Sequence, residues 1–118
     1  MNELNWKHST LLHGAAARVP ERPGLYVIAA TRRAASLPMS LDPIYAGRTE
    51  NLRRRLIEHA DPWREHNRDV TAAMLAQDLE FWFTEVPKEQ LTSLERELIR
   101  TINPAVNRVR YTKGAHDE

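Results

Sequence analysis

Apolar positions along the chain recur with two different periods. Leu25 to Ala30 is a compact run rich in β-formers, and Ile44-Tyr45-Ala46 is a shorter one. Asp78 to Val86 alternates, with Leu79, Phe81 and Phe83, joined by Val86, on one side and Glu80, Trp82, Thr84 and Glu85 on the other. These three runs predict strands. Leu52, Leu56 and Ile57 recur at helical spacing and predict a helix from Glu50 or Asn51 to Ala60, with Thr49 available as its cap. Leu91, Leu94, Leu98, Ile99 and Ile102 predict an amphipathic helix that stops at Asn103-Pro104. A short helix over 9–18, capped by Ser9 or Thr10, is expected before Pro20, and Pro23-Gly24 marks a turn. Asp61-Pro62-Trp63 opens a further helical stretch through Gln77. The stretch Thr31 to Pro43, with two Pro and two Ser, is too long for a tight two-residue hairpin and reads as a mobile surface excursion. The resulting order is helix, strand, strand, helix, helix, strand, helix.

Composition narrows what such a chain can do. Its 118 residues fit one domain, 1–118, and 42 % apolar with 28 % charged residues is an ordinary globular balance. Without Cys there are no disulfides, thiol nucleophiles, zinc ribbons or iron-sulfur clusters. No apolar run approaches the roughly 18 residues that span a bilayer, and Glu3, Lys7, His8 and His13 interrupt any signal core, so a cytoplasmic protein with no membrane partner is expected. A net charge of +1 excludes coating of nucleic acid by bulk charge. A local basic face remains open: 14 of the 17 basic residues are Arg, the better bidentate phosphate ligand, although a GC-rich genome produces the same bias. Between 96 and 113, Arg96, Arg100, Arg108, Arg110 and Lys113 against Glu97 leave +4.

Chemistry enters at two strand ends, Gly24-Leu25-Tyr26 and Tyr45-Ala46-Gly47, each with a Tyr near a Gly. Downstream follow Arg48, the stretch Leu52-Arg53-Arg54-Arg55-Leu56, His59, then Leu94-Glu95-Arg96-Glu97-Leu98 and finally Asn103 to Asn107. In this order and spacing the chain resembles the GIY-YIG nuclease superfamily, over a motif-bearing core of about 20–110. The resemblance implies an α+β fold with a small three-stranded mixed or antiparallel sheet flanked by helices. It places the first signature on Gly24, Leu25 and Tyr26, with Leu for Ile, and the second on Tyr45, Ala46 and Gly47, with Ala for a branched residue. The helix arginine falls on Arg55, the basic residue after the second motif on Arg48, the metal-binding carboxylate on Glu95 and the closing asparagine on Asn107. Family members are mostly DNA endonucleases, which implies Mg²⁺ or Mn²⁺ as cofactor and nucleic acid, DNA before RNA, as partner.

The same residues can be read from chemistry alone. Phosphodiester hydrolysis needs an activated water, charge on the phosphate and help for the leaving oxygen. Arg55 can grip the scissile phosphate bidentately, and a single carboxylate, Glu95, can hold one divalent ion that keeps its waters. A Tyr at pH 7 acts as a base only if cations favour its phenolate, against a reference pKa of about 10. Tyr26 or Tyr45 is therefore the expected base, directly or through the ion's water, with the choice between them open. His59, one helical turn after Arg55, can assist proton transfer or touch phosphate, and is equally compatible with a surface position. Arg53 is expected to contact the nucleic-acid backbone, and the resemblance adds Arg48 and Asn107 as expected contacts. His59 and His66 do not have the spacing of a zinc helix. So short a domain has little surface left to specify a sequence, so a homodimer or a partner protein is a natural source of specificity. The competing readings are a non-catalytic nucleic-acid-binding module and a partner-dependent subunit that uses Trp82 and the 31–43 segment as its interface.

Overall fold

The run beginning at Gly24 becomes the central strand of the sheet. The computed structural model describes residues 3–61, 72 and 79–107. Within them four strands, β1 (Lys7–Thr10), β2 (Gly24–Ala34), β3 (Leu37–Thr49) and β4 (Leu79–Glu85), form one antiparallel sheet in the order β1-β4-β2-β3. Two helices, α1 (Leu52–Ala60) and α2 (Leu91–Ile102), flank it, with short 3-10 turns at His13–Arg18 and Lys88–Gln90. The α+β class is as expected, but the sheet has four strands. Lys7–Thr10 takes up β pairing where a Ser9 or Thr10 helix cap was expected. Its one inward side chain is the small, polar Ser9, so the strand carries no hydrophobic alternation to announce it. The expected helix through Gln77 and the basic residues after Asn107 lie outside the described residues.

The 31–43 segment is the largest correction to the expected fold. β2 and β3 pair along nearly their whole length and are joined by a two-residue turn, Ala35-Ser36, with φ of 51° and 67°. Two successive left-handed residues match the twist of a hairpin, a conformation that Asn-Gly would have signalled and Ala-Ser does not. Pro38 and Pro43, which argued against a strand, are tolerated because β3 is an edge strand. Each Pro also adjoins a break in register, where Met39 and Ile44 are left without a partner on β2.

The sheet is buried on both faces. On one, Tyr26, Ile28, Tyr45, Phe81 and Phe83 pack with Leu52 and Leu56 of α1. On the other, Leu25, Val27, Ala29 and Ala46 pack with Leu91 and Leu98 of α2. Val86 joins this second cluster rather than that of Phe81 and Phe83. Trp82 packs against it too, half-buried and stacked on His8 with ring centroids 4.3 Å apart, so the side of β4 read as polar is the edge of a second core.

Helix α1 is fixed at its start. Its first four N–H groups have no partner within a helix. Here Leu52 donates to the Arg22 carbonyl (3.0 Å), Arg53 to that of Pro20 (3.1 Å) and Arg54 to the Asn51 side chain (3.0 Å). The cap is thus Asn51 rather than Thr49. The Thr49 hydroxyl instead accepts from the Asn51 N–H at 3.1 Å and orients the capping residue. With these amides engaged, any phosphate near α1 has to be held by side chains.

Candidate active site

The two signature tyrosines come from adjacent strands and share one face. Register pairs Tyr26 with Gly47 and Tyr45 with Ile28, so the tyrosines are diagonal neighbours, their ring centroids 6.2 Å apart. Gly47 is required by this arrangement. A Cβ there would stand 2.6 Å from the Tyr26 hydroxyl oxygen, a separation no real contact has, so the missing side chain is the seat of the phenol. Gly24 is confined differently: its Cβ would meet the Thr84 carbonyl oxygen at 2.2 Å and Leu52 Cδ1 at 2.7 Å, where β2, β4 and α1 converge.

Helix α1 brings Arg55 and His59 to the same phenol, as their four-residue spacing allows. The Arg55 Nε–H donates to the Tyr26 hydroxyl oxygen at 3.1 Å, and that oxygen lies 3.0 Å from His59 Nε2. His59 is buried at 4 % exposure, not a surface histidine. Arginine only donates. The Tyr26 hydroxyl can donate its proton to Nε2, or its oxygen can accept from Nε2–H beside the Arg55 bond, as the imidazole tautomer dictates. Burial alone would lower the Arg55 pKa, yet the charge and hydrogen bond of Tyr26, the bond to Glu58 and the charge of Tyr45 raise it overall. The guanidinium is thus a fixed positive charge, oriented by Tyr26 at 3.1 Å and by the exposed Glu58 at 3.3 Å.

On the other side of β3, α2 presents Glu95 from the middle of its buried stripe, one turn after Leu91 and just before Leu98. The carboxylate is 6 % exposed and its Oε1 accepts from Arg48 Nη1 at 2.5 Å. Tyr26, Tyr45, Gly47, Arg48, Arg55 and Glu95 all line one cleft of about 320 Å³, which thereby draws on both faces of the sheet where Gly47 leaves the edge strand bare. Its rim holds residues that the sequence did not single out: Glu50, Thr92 and Lys88, the last paired with Glu50 at 3.0 Å. Lys88 follows the strand-ending Pro87 and carries no pattern of its own.

Two of the expected nucleic-acid ligands are engaged within the fold. Arg53 donates from Nε to the Val19 carbonyl at 2.8 Å, tying α1 to the preceding turn. Asn107 is buried, accepting from the Ala46 N–H at 2.7 Å and donating to the Ala46 carbonyl at 2.9 Å. Arg48 and Arg55 remain partly open to the cleft, with 28 % and 35 % of their side chains exposed.

The donor set tests which metal the cleft can hold. Among the described residues no three of His, Asp and Glu gather as joint ligands. A lone carboxylate beside hydroxyls fits a hard ion that retains most of its waters, such as Mg²⁺ or Mn²⁺, and not tetrahedral zinc.

No family model matches the sequence, and no curated protein does. Solved structures match in shape. The GIY-YIG N-terminal endonuclease domain of UvrC from Thermotoga maritima, bound to magnesium as its catalytic divalent cation, aligns at a TM-score of 0.55 and 21 % identity, covering 80 % of this chain and 92 % of that one. A tyrosine-to-phenylalanine mutant of the same domain, also bound to its divalent cation, aligns at 0.56 and 21 %, covering 80 % and 91 %. Nearly the whole of that domain is thus matched by a chain sharing about one residue in five, and the fold of this chain is that of a GIY-YIG endonuclease domain.

Proposed function

We propose that the protein is a divalent-metal-dependent endonuclease that hydrolyses phosphodiester bonds, with DNA its first expected substrate. The observation that carries this reading is the convergence, in one cleft, of a buried phenol relay, two partly open arginines and an inward carboxylate. Arg55 binds the scissile phosphate and stabilises the charge that builds on it, held in place by Tyr26 so that no reorganisation is needed during reaction. Tyr26 is fully buried, and the proton it yields passes to His59 Nε2. Tyr45 is the second phenol of the cleft and orients water or phosphate. Glu95 would hold the divalent ion, which when bound would supply positive charge to the phosphate and acidity to water. Arg48 meets the substrate backbone. The UvrC domain is an endonuclease domain bound to its catalytic divalent cation, which supports transferring both properties to this chain.

The test is cleavage, with Mg²⁺ or Mn²⁺, of single-stranded, duplex, nicked, flapped and four-way DNA and of RNA, beside Glu95→Gln and Arg55→Ala. Cutting by the wild type that both variants lose is the expected result, and the preferred panel member identifies the substrate shape. Binding without cutting would replace the nuclease with a nucleic-acid-binding module.

A further inference from the structure

A carboxylate as enclosed as that of Glu95 is tolerated as an anion only with a cation beside it. Arg48 is such a cation, its Nη1 against Glu95 Oε1 at the wall of the cleft. A divalent ion bonded to the same oxygen at about 2.1 Å would face that guanidinium within about 4 Å, a like-charge contact in a poorly screened site. At that oxygen the two cations compete. Arg55, by contrast, has its own anchors in Tyr26 and Glu58 and does not touch Glu95 in this arrangement.

We propose that Arg48 is an internal stand-in for the metal: it neutralises Glu95 while the ion is absent, the incoming ion displaces it, and the released guanidinium turns to the substrate phosphate. The proposal rests on the nuclease reading and deepens it. Arg48 then does two things in sequence. It keeps a cation against the buried carboxylate in the metal-free cleft, and it becomes a phosphate ligand only once the ion has taken its place, so that metal loading prepares the site for substrate. The exchange leaves Glu95 with a cationic partner throughout.

The experiment uses the full chain and metal alone. Mn²⁺ and Mg²⁺ are titrated calorimetrically into the wild type, Arg48→Gln, Arg48→Lys and Glu95→Gln, and thermal midpoints are read with and without Mn²⁺. Arg48→Gln is expected to bind Mn²⁺ on the order of tenfold more tightly than the wild type, since it has no resident cation to displace. Its metal-free midpoint should be lower, and saturating Mn²⁺ should raise it by more than it raises that of the wild type. Arg48→Lys, which keeps the charge, should stay near the wild type, and Glu95→Gln should lose the binding. An Arg48→Gln protein that folds only when Mn²⁺ is present supports the exchange, and one that stays unfolded at every Mn²⁺ concentration overturns it. Equal or weaker Mn²⁺ binding by folded Arg48→Gln, beside a wild type that cuts nucleic acid, would overturn the stand-in role and leave the nuclease standing. No metal binding by any form, with no cutting, would remove both.

Discussion

Two glutamates, Glu80 on β4 and Glu95 on α2, lie beside the core that α2 forms with the sheet, and each faces an arginine. Glu80 on β4 accepts from Arg33 at 2.9 Å, Thr31 at 2.8 Å and the Trp82 indole at 3.1 Å, with His8 Nδ1 3.9 Å away. Burial alone would raise its pKa, but these donors and the Arg33 charge hold the carboxyl below the ordinary carboxylate range. Both of its oxygens are engaged by neighbouring side chains, so Glu80 stitches β4 to the outer part of β2. Glu95 opens onto a cleft instead, and its arginine stands where an ion could. An acidic residue near a core is a brace when neighbouring donors close around it, and a ligand when its partner can be exchanged.

The largest test of that contrast is to neutralise each in turn. Glu95→Gln should lower the cleavage rate by about a thousandfold or more, a loss comparable to removing a principal electrostatic contact, whereas Glu80→Gln should cut at the wild-type rate. Equal effects on rate would erase the distinction. The group around Arg55 and Tyr26 is next: Tyr26→Phe removes both the hydroxyl bonded to His59 and the acceptor that aims Arg55, and its single-turnover rate should fall by about 10² to 10⁴ with the fold retained.

Smaller effects fall on stability. Asn107→Ala leaves the Ala46 N–H and carbonyl without their buried partner and should lower unfolding free energy by about 1–3 kcal/mol, read from denaturant midpoints. The smallest sharpens the role of Glu80. Its folded pKa lies below the unfolded value, so its contribution to stability is present above the unfolded pKa and is lost as pH falls through the folded one. Thermal midpoints of Glu80→Gln should therefore decline less steeply than those of the wild type on the acid side of pH 4, and the two curves should run parallel near neutrality.

Much of this was legible in the sequence because it is local. The stripe of Leu91, Leu94 and Leu98 carries Glu95 on its apolar boundary, and the tyrosine-glycine spacing sets the two phenols on one face. What escaped depends on partners far away in the chain. Nothing around Ser9 reveals that β4 will accept a fourth strand beside it. The Ala35-Ser36 turn lacks the residues that normally advertise left-handed backbone, and its prolines look prohibitive until β3 is known to be at the edge. His59 is a buried partner of Tyr26 only because α1 packs on that face, and Arg53 looks like its neighbours until the Val19 carbonyl is found beneath it.

The bond between Asn107 and Ala46 also bears on self-association. An edge strand is an invitation to other chains, because its outward N–H and C=O groups can template another strand. At Ala46, next to Tyr45 and Gly47 of the cleft, a carboxamide supplies one donor and one acceptor in the places where a neighbouring chain would supply its own. Asn107 thus acts as a fifth strand one residue long. Among the described residues it occupies, at Ala46, the backbone groups that foreign β-structure would need in order to grow across the mouth of the cleft.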